Sequence, residues 1–402
     1  MTNPELDLLQ PYPFEKLKDL LTDVAPADKN PISLSIGEPK HPAPQVVLEA
    51  LVKSVRAVEQ YPAIRGSDEL RQTIARWLCS RFMLQNPDKL ANQHILPVNG
   101  TREGLFAVAQ CLLDRQQNAR TVLMPNPFYQ IYEGAALLAG CQPEFYAIDE
   151  NADANLEAIT DAQFQQAQLI YLCTPGNPTG AVISLAALQH LIDKAHQHDF
   201  IIVSDECYSE IYRRSVGAPC GLLQAAVAMG LDSMERCLAF HSLSKRSNLP
   251  GLRAGFVAGD ATLIERFTRY RTYHGCSMSG AVQHASVAAW SDEEHVTDNR
   301  TEYDAKYEAV VNILNPVVPM SIPPAGFYLW PELPDDDQHF TQRLLAEQNV
   351  RVVPGSYLAR ATGNTMFNPG KNRLRLALVA PLDDCVEAAK RIAICLSQPL
   401  ES

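Results

Sequence analysis

Apolar residues are arranged along the chain in two alternating patterns, short continuous runs and longer stretches at helical spacing. Between the runs, helical spacing predicts helices at 101–113, 128–139 and 185–198. Continuous apolar strands that alternate with helices are typical of a parallel sheet covered on both faces. We therefore predict an α/β fold with a mostly parallel, helix-covered sheet. The predicted strands are 94–98, 120–124, 144–148, 169–173, 200–204, 236–240 and 253–258.

The two ends of the chain follow other patterns. Residues 1–45 are rich in proline, with a short predicted strand at 32–36 that runs into Gly37. Residues 46–58 have helical spacing, and Ser67 is a predicted N-cap of the next helix. Beyond about residue 285 we predict a smaller α+β unit. Its predicted helices are 281–290, 293–314, 339–348 and 382–396, and its strands are 326–330 and 373–379.

Size and charge set limits on this picture. The 402 residues exceed the usual size of one hydrophobic core, which favours more than one domain. We expect a large domain at 46–285 and a small domain at 286–402. Residues 1–45 are expected to pack as part of the small domain. The net charge of −12 argues against nucleic acid or an anionic membrane surface as partner. An anionic ligand would therefore need local cations.

Cysteine spacing and hydropathy make further exclusions. The ten cysteines are dispersed and lack the ligand spacing of a zinc site, so no metal is expected. The N-terminus has no signal-like apolar segment, and no apolar run reaches the roughly 18 residues that span a bilayer. The acidic run at 335–337 is expected to be a solvated helix start. We expect a soluble cytoplasmic protein.

The segment His241-Ser242-Leu243-Ser244-Lys245 directly follows a predicted strand, and Arg253 stands eight residues after Lys245. Such a lysine is either a solvated loop charge or an amine held inside a site. A hydroxyl, an ammonium and a guanidinium near one strand end favour an anion site with a nucleophilic amine. Lysine amines form Schiff bases with carbonyl compounds, and pyridoxal phosphate is one of them.

Three further motifs follow predicted strands. Residues 99–103 open a helix whose N-terminus would suit a phosphate, although many α/β proteins have such a turn. Residues 174–180 are dense in turn residues and carry Asn177 between Gly176 and Pro178. Asp205 either caps a helix or holds a pyridine nitrogen protonated. Because the carboxyl ends of parallel strands meet at one edge, we expect these residues to lie together.

In order and approximate spacing, these motifs resemble the fold-type I, class I and II aminotransferases that use pyridoxal phosphate. The motifs are G-N-P-T-G at 176–180, S-D-E-C-Y at 204–208, and S-L-S-K at 242–245 with G-L-R-A-G-F at 251–256. The resemblance extends from Gly37 to Arg375. It implies that Lys245 forms the Schiff base with the cofactor and then moves the proton.

The resemblance also implies roles around the cofactor ring. Asp205 would pair with the pyridine nitrogen, and Asn177 and Tyr208 would hydrogen-bond the ring oxygen. Tyr129, two residues after Pro127, would stack on the ring. The implied phosphate ligands are Thr101, Arg102, Ser242 and Arg253.

Substrate and partner contacts are implied in the same way. Tyr61 resembles the tyrosine that reaches the phosphate from the partner subunit, which implies a homodimer with shared active sites. Arg375 matches the arginine that binds the substrate α-carboxylate, and its planar fork suits that group. We prefer Arg375 to Arg373 from the motif alone. Gly37 and Asn177 are the other expected substrate contacts.

Within the family, residues 34–42 and 324–330 are most similar to bacterial N-succinyldiaminopimelate aminotransferases. The implied reaction interconverts N-succinyl-2-amino-6-ketopimelate and N-succinyl-LL-2,6-diaminopimelate with glutamate and 2-oxoglutarate, in lysine biosynthesis. Arg65 is a candidate contact for a distal carboxylate, and the alternative is an ordinary surface arginine.

Other functions stay open at this point. An aspartate, alanine or aromatic amino-acid aminotransferase would carry the same motifs, and so would a pyridoxal phosphate-dependent C–S lyase. A non-catalytic regulator that binds the cofactor would need a DNA-binding module, and the acidic chain argues against one.

Overall fold

The computed structural model describes residues 3–118, 121–363 and 366–398. Every strand and helix predicted above overlaps an element of the structure, and Arg120, the predicted start of one strand, lies outside the described residues. The strands are β1 (Ile32–Ser33), β2 (Ile95–Val98), β3 (Thr121–Asn126), β4 (Gln142–Ala147), β5 (Ala167–Cys173), β6 (Ile201–Asp205), β7 (Cys237–Ser242), β8 (Gly255–Gly259), β9 (Tyr328–Leu329), β10 (Val350–Arg351), β11 (Val353–Pro354) and β12 (Leu374–Ala377).

Helices connect most of these strands. They are α1 (Pro13–Leu20), α2 (Gln45–Lys53), α3 (Asp68–Phe82), α4 (Pro87–Lys89), α5 (Thr101–Leu112), α6 (Ile131–Leu138), α7 (Ala152–Glu157), α8 (Asp161–Gln166), α9 (Leu185–His198), α10 (Leu222–Ala228), α11 (Leu243–Arg246), α12 (Ala261–His274), α13 (Gly280–Ser291), α14 (Glu294–Leu314), α15 (Asp337–Gln348) and α16 (Leu382–Ser397).

The main sheet has the strand order β2-β8-β7-β6-β5-β3-β4. β8 is antiparallel to both of its neighbours, and the other neighbouring pairs are parallel. It follows that β2, β3, β5, β6 and β7 all end at the same edge of the sheet. The prediction of an α/β fold with a mostly parallel, helix-covered sheet is confirmed.

Both faces of this sheet are buried. Along β5, Ile170 and Leu172 belong to the core that includes α3, α9, α10 and α13. Leu169 and Tyr171, which point the other way, belong to the core that includes α5, α6 and α12. Successive strand residues point to opposite faces, so a strand between two cores is apolar at every position. This explains the continuous apolar runs of the sequence.

A second, smaller set of strands lies towards the C-terminus. β11, β12 and β9 form an antiparallel sheet, and β1 of the N-terminal segment pairs in parallel with β10. Ile32 and Leu34 pack in the same apolar cluster as α14, α15 and α16. The N-terminal segment therefore packs with the C-terminal part of the chain. The domain boundaries at 45 and 285 stay predictions.

Two local expectations differ from the structure. The helix predicted at 46–58 ends at Lys53, where the Ser54 hydroxyl donates to the carbonyl of Ala50 at 2.6 Å, and a 3-10 turn follows. In the acidic run, Asp336 caps α15, but Asp337 is buried. The Asp337 carboxylate accepts hydrogen bonds from the backbone of Ser356 and Asn372, so it is not a solvated charge.

The N-cap predicted for the second helix is confirmed, since the Ser67 hydroxyl accepts from the backbone N–H of Leu70. Of the helices in the described residues, none combines the length and the apolar character that a bilayer crossing requires.

Candidate active site

A cavity of about 470 Å³ opens at the edge where the parallel strands end. It lies between the main sheet, the N-terminal segment and β12. The structure brings eleven of the predicted site residues to its wall. They are Gly37, Thr101, Arg102, Tyr129, Asn177, Asp205, Tyr208, Ser242, Lys245, Arg253 and Arg375.

Lys245 lies on α11, a single turn that begins directly after β7. The Ser242 hydroxyl caps this turn by accepting from the backbone N–H of Ser244 at 3.1 Å. The Lys245 ammonium donates to the carbonyl of Gly37 and lies 5.4 Å from the ring centre of Phe327. Burial lowers the pKa of Lys245 to about 8, and the positive charge of Arg375 acts in the same direction. A nucleophilic amine needs this neutral form.

Asp205 ends β6 with its side chain buried. Its Oδ2 accepts from the Tyr132 hydroxyl at 2.8 Å, and its Oδ1 accepts from the backbone N–H of Cys207 at 3.3 Å. Residues 206–210 contain a turn and no helix, so this aspartate is not a helix cap. Burial raises its pKa. Among the described residues it has no ion-pair partner, and a cationic ligand would stabilise its charge.

The N-terminus of α5 forms another part of the wall. Gly100 precedes this helix with φ of 81°, and a side chain there would collide with the guanidinium of Arg253. The Arg253 Nη1 donates to the carbonyl of Pro250 at 2.8 Å. Thr101, the first residue of the helix, and Ser242 add hydroxyls to the same wall. Free backbone N–H groups, hydroxyls and a guanidinium are the donors that a phosphate binds.

Arg375 extends from β12 into the cavity and is almost fully buried. Its Nη2 donates to the carbonyl of Ser35 at 2.8 Å, and its Nη1 donates to Asn177 Oδ1 at 3.2 Å. Its guanidinium packs 4.7 Å from the ring centre of Tyr328. Arg373 instead donates to Glu332 Oε2 at 2.8 Å, outside the cavity. The structure thus brings Arg375, and not Arg373, to the site.

Aromatic hydroxyls complete the wall. Arg102 donates through Nε to the Tyr129 hydroxyl at 2.6 Å and through Nη2 to the Tyr12 hydroxyl at 3.2 Å. The hydroxyls of Tyr208 and Tyr328 lie 3.1 Å apart. A side chain at position 37 would collide with the Tyr328 hydroxyl, so this position requires glycine.

Two predicted site residues are not brought to this cavity. Tyr61 is fully exposed. Arg65 donates through Nη2 to the carbonyl of Asn92 at 2.6 Å and does not line the cavity of its own chain. Its predicted contact with a distal carboxylate would therefore have to be made in the cavity of a partner subunit.

The motifs did not indicate several residues of the site. Tyr132, in the first turn of α6, carries no motif, and its hydroxyl donates to Asp205. Tyr328 reaches the cavity because β9 pairs with β12, at Tyr328 opposite Ala377. Tyr12 and Phe14 come from the proline-rich N-terminus, which carried no chemical signal.

Comparison with known proteins identifies the family. The profile described as aminotransferase class I and II matches residues 29–392. The chain belongs to this family. Its members depend on pyridoxal phosphate, so the protein is a pyridoxal phosphate-dependent aminotransferase.

Relatives are similar over nearly the full chain. An aminotransferase structure from Neisseria meningitidis Z2491 has 44% identity and a TM-score of 0.91, over 97% of this chain and 99% of that one. An LL-diaminopimelate aminotransferase from Nitratidesulfovibrio vulgaris (Miyazaki F) is 30% identical over 96% of this chain and 97% of its own. A probable N-succinyldiaminopimelate aminotransferase structure from Thermus thermophilus has 27% identity and a TM-score of 0.81, over 95% and 100%.

The cavity has the donor and acceptor groups that this cofactor requires. Pyridoxal phosphate has a phosphate, an aldehyde and a basic ring nitrogen. The wall offers a phosphate-type donor set at α5 and Arg253, an amine at Lys245, and a buried carboxylate at Asp205. A protonated ring nitrogen is the kind of cation that the Asp205 carboxylate lacks among the described residues.

The lowered pKa of Lys245 is testable in the cofactor-free protein. An amine-reactive reagent should label Lys245 half-maximally near pH 8, because burial favours the neutral amine. Peptide mass spectrometry after labelling across a pH series measures this, with the exposed Lys53 as an internal control for reagent reactivity. A labelling curve that follows the ordinary lysine value of 10.5 would contradict the assignment.

Proposed function

We propose that this aminotransferase interconverts N-succinyl-2-amino-6-ketopimelate and N-succinyl-LL-2,6-diaminopimelate, with glutamate and 2-oxoglutarate as the second pair. The supporting observation is the charge of the cavity wall in an acidic protein. Lys245, Arg102, Arg253 and Arg375 line it, against the carboxylates of Asp205 and Glu38. An excess of cations suits a cofactor phosphate and a substrate with several carboxylates.

We propose the following roles for the residues that bind the cofactor. Thr101, Ser242, Arg253 and the N-terminus of α5 bind the phosphate, and Arg102 supplies further positive charge. Asp205 keeps the ring nitrogen protonated through a charge-assisted hydrogen bond. Tyr208 and Asn177 hydrogen-bond the ring oxygen, and Tyr129 stacks on the ring. When bound, the cofactor takes up the electrons of the bond broken at the substrate α-carbon.

The remaining steps belong to residues of the protein. Arg375 binds the α-carboxylate with its planar fork, assisted by Asn177, and Gly37 lies beside it without a side chain. This orients the substrate α-hydrogen towards Lys245. The neutral Lys245 amine then accepts the proton and returns it to a neighbouring carbon. Its pKa of about 8 makes both transfers feasible near neutral pH.

LL-diaminopimelate itself is the second candidate substrate. The relatives named LL-diaminopimelate aminotransferases support it, although they share only 28–30% identity with this chain. The two substrates differ at the distal end, where one carries a free ammonium and the other a succinyl group with its own carboxylate. Glu38 is exposed at the cavity and would favour the ammonium.

We also propose a homodimer with shared active sites. Tyr61 is fully exposed, and Val52, Val55 and Val58, shortly before it, are each more than half exposed. An apolar surface of this kind indicates an interface with another protein. In a symmetric dimer, it would let Tyr61 reach the phosphate site of the partner subunit.

The substrate proposal predicts the outcome of a half-reaction screen. The purified holoenzyme is mixed with one amino compound at a time, and the loss of the cofactor's visible aldehyde absorbance is followed. N-succinyl-LL-2,6-diaminopimelate and glutamate should both convert the cofactor to its amine form, faster than aspartate, alanine or phenylalanine. Faster conversion by LL-diaminopimelate would favour the second candidate, and release of a thiol from cystathionine would indicate a C–S lyase.

The role of Arg375 predicts the effect of a conservative change. R375K keeps the charge but loses the planar fork, so kcat/KM should fall about 30-fold, which corresponds to about 2 kcal/mol of transition-state binding. R373K is the matched control, since Arg373 stands two residues earlier and bonds to Glu332 outside the cavity. Equal effects of the two changes would contradict the assignment of the carboxylate site.

Shared active sites predict recovery of activity in a mixed dimer. A K245A chain should be inactive, and a Y61A chain should bind the cofactor weakly. A dimer with one chain of each kind has one site with both residues intact, so it should show roughly half of the wild-type activity. Co-expression with two different tags allows its purification. Activity no higher than half that of the Y61A dimer would indicate that Tyr61 serves its own subunit or neither.

A further inference from the structure

A chain of hydrogen bonds joins the backbone of Lys245 to the N-terminal segment. Asn299 of α14 donates through Nδ2 to the carbonyls of Lys245 and Arg246, each at 3.4 Å. Its Oδ1 accepts from His41 Nδ1 at 2.5 Å and from Asn248 Nδ2 at 3.3 Å. The amide is 4% exposed. All of its hydrogen-bonding capacity is thus used, which fixes its orientation.

The tautomer of His41 follows from this arrangement. Asn299 Oδ1 can only accept, so His41 carries its proton on Nδ1 and leaves Nε2 as an acceptor. The ammonium of Lys306 lies 2.5 Å from that nitrogen and donates to it. Each group therefore donates to the next along this series of hydrogen bonds, from Lys306 through His41 and Asn299 to the carbonyl of Lys245.

Lys306 is unusual in its surroundings. It is 1% exposed, and among the described residues no carboxylate lies within ion-pair distance of its ammonium. Tyr303 supplies a ring face to the ammonium, 5.1 Å from the ring centre, and also packs against the His41 ring. A buried ammonium is costly without partners. The neutral His41 ring is the hydrogen-bond acceptor that it has.

Protonation of His41 would disrupt this series of hydrogen bonds. A proton on Nε2 would face the Lys306 ammonium and remove its acceptor. Burial and Lys306 lower the pKa of His41, while its bond to Asn299 and the charge of Glu302 act in the opposite direction. Lys306, Glu302 and Tyr303 are the titratable groups of the described residues that face His41, and all three belong to α14.

The segment that His41 holds carries parts of the site. The carbonyl of Gly37 accepts from the Lys245 ammonium, and the carbonyl of Ser35 accepts from Arg375. His41, Asn299 and Lys306 themselves do not line the cavity. We propose that these three are positioning residues, which hold residues 35–41 beside Lys245 and Arg375, and that protonation of His41 releases the segment. We call the three residues the His41 tether.

The lowered pKa of His41 determines the direction of the pH effect. Because the folded chain binds the His41 proton less readily than the unfolded chain, the contribution of the tether is complete above pH 6.5 and decreases as the pH falls below it. Release of the segment loosens the Arg375 site, so substrate binding should weaken more than turnover.

Kinetics across pH test the positioning role, using the holoenzyme and the best amino donor of the screen above. In the wild type, KM should rise as the pH falls below about 6.5, whereas the fall in kcat that protonation of Lys245 causes should be the same in the wild type and in the His41 variants. H41Q keeps one donor and one acceptor but cannot titrate, so its KM should not show this rise. H41L loses both bonds, and its KM should be about tenfold higher at every pH. H196Q, on the exposed surface of α9, is the matched control and should behave as the wild type.

Hydrogen exchange of residues 35–41 tests the tether without relying on activity. After correction for intrinsic rates, protection of this segment in the wild-type holoenzyme should fall below about pH 6.5 and stay constant in H41Q. K306M removes the ammonium that the new proton would face. The fall in protection should therefore be smaller in K306M than in the wild type, because burial alone then opposes the His41 proton.

Each result bears on the proposal. Protection that is independent of pH in the wild type, or an H41L enzyme with wild-type KM, would overturn it. A pH-dependent segment with an unchanged KM profile would also overturn the positioning role. The proposal rests on the roles given above to Lys245 and Arg375. A failed substrate screen beside the expected exchange pattern would therefore refute the proposed substrate and leave the tether intact.

Discussion

The burial of one ammonium group, that of Lys245, constrains much of this structure. An ammonium near other cations in a partly buried site is costly, and the cost shows in its lowered pKa. Its hydrogen bond to the carbonyl of Gly37 offsets part of that cost, since no carboxylate of the described residues forms an ion pair with it. This hydrogen bond requires the N-terminal segment to lie beside the ends of the sheet strands, although the two are far apart in sequence.

That segment is fixed on its other side by the smaller sheet. The N–H of Leu34 donates to the carbonyl of Arg351, and the carbonyl of Leu34 accepts from the N–H of Ala377. Ser35 follows at once and accepts from Arg375. The substrate-binding arginine and the backbone that faces Lys245 are thus parts of one hydrogen-bonded unit. Any movement of the C-terminal part would shift both relative to the main sheet.

The sequence predicted the main sheet well, and the reason is physical. Strands between two cores are apolar at every position, and the chemistry follows them directly, so β5, β6 and β7 and the residues after them are visible as local patterns. The residues that were missed depend on distant pairing. Tyr328 enters the cavity only because β9 pairs with β12, and Asn299 lies 54 positions after Lys245 on a helix with no motif.

Arg65 shows a second limit of prediction from the sequence, which concerns the contacts of a single side chain. The carbonyl of Asn92 accepts from its guanidinium, a contact that no motif indicated, and the role of Arg65 at a distal carboxylate stays a prediction. A single sequence does not reveal which backbone carbonyl will lie near a given side chain. Arg373 shows the same limit: it lies two residues before Arg375, yet it bonds to Glu332 outside the cavity.

The register of β6 depends on polar contacts, because its apolar residues do not determine it. Ile202 and Val203 are buried in opposite cores, so a shift by one residue would still bury apolar side chains. Such a shift would exchange Asp205 and Glu206. Glu206 is buried, and its Oε1 accepts from the Ser204 hydroxyl and the N–H of Leu222, while Asp205 accepts from Tyr132. Each carboxylate therefore has hydrogen-bond donors on its own face of the sheet. These donors fix the register in which Asp205, and not Glu206, faces the cavity.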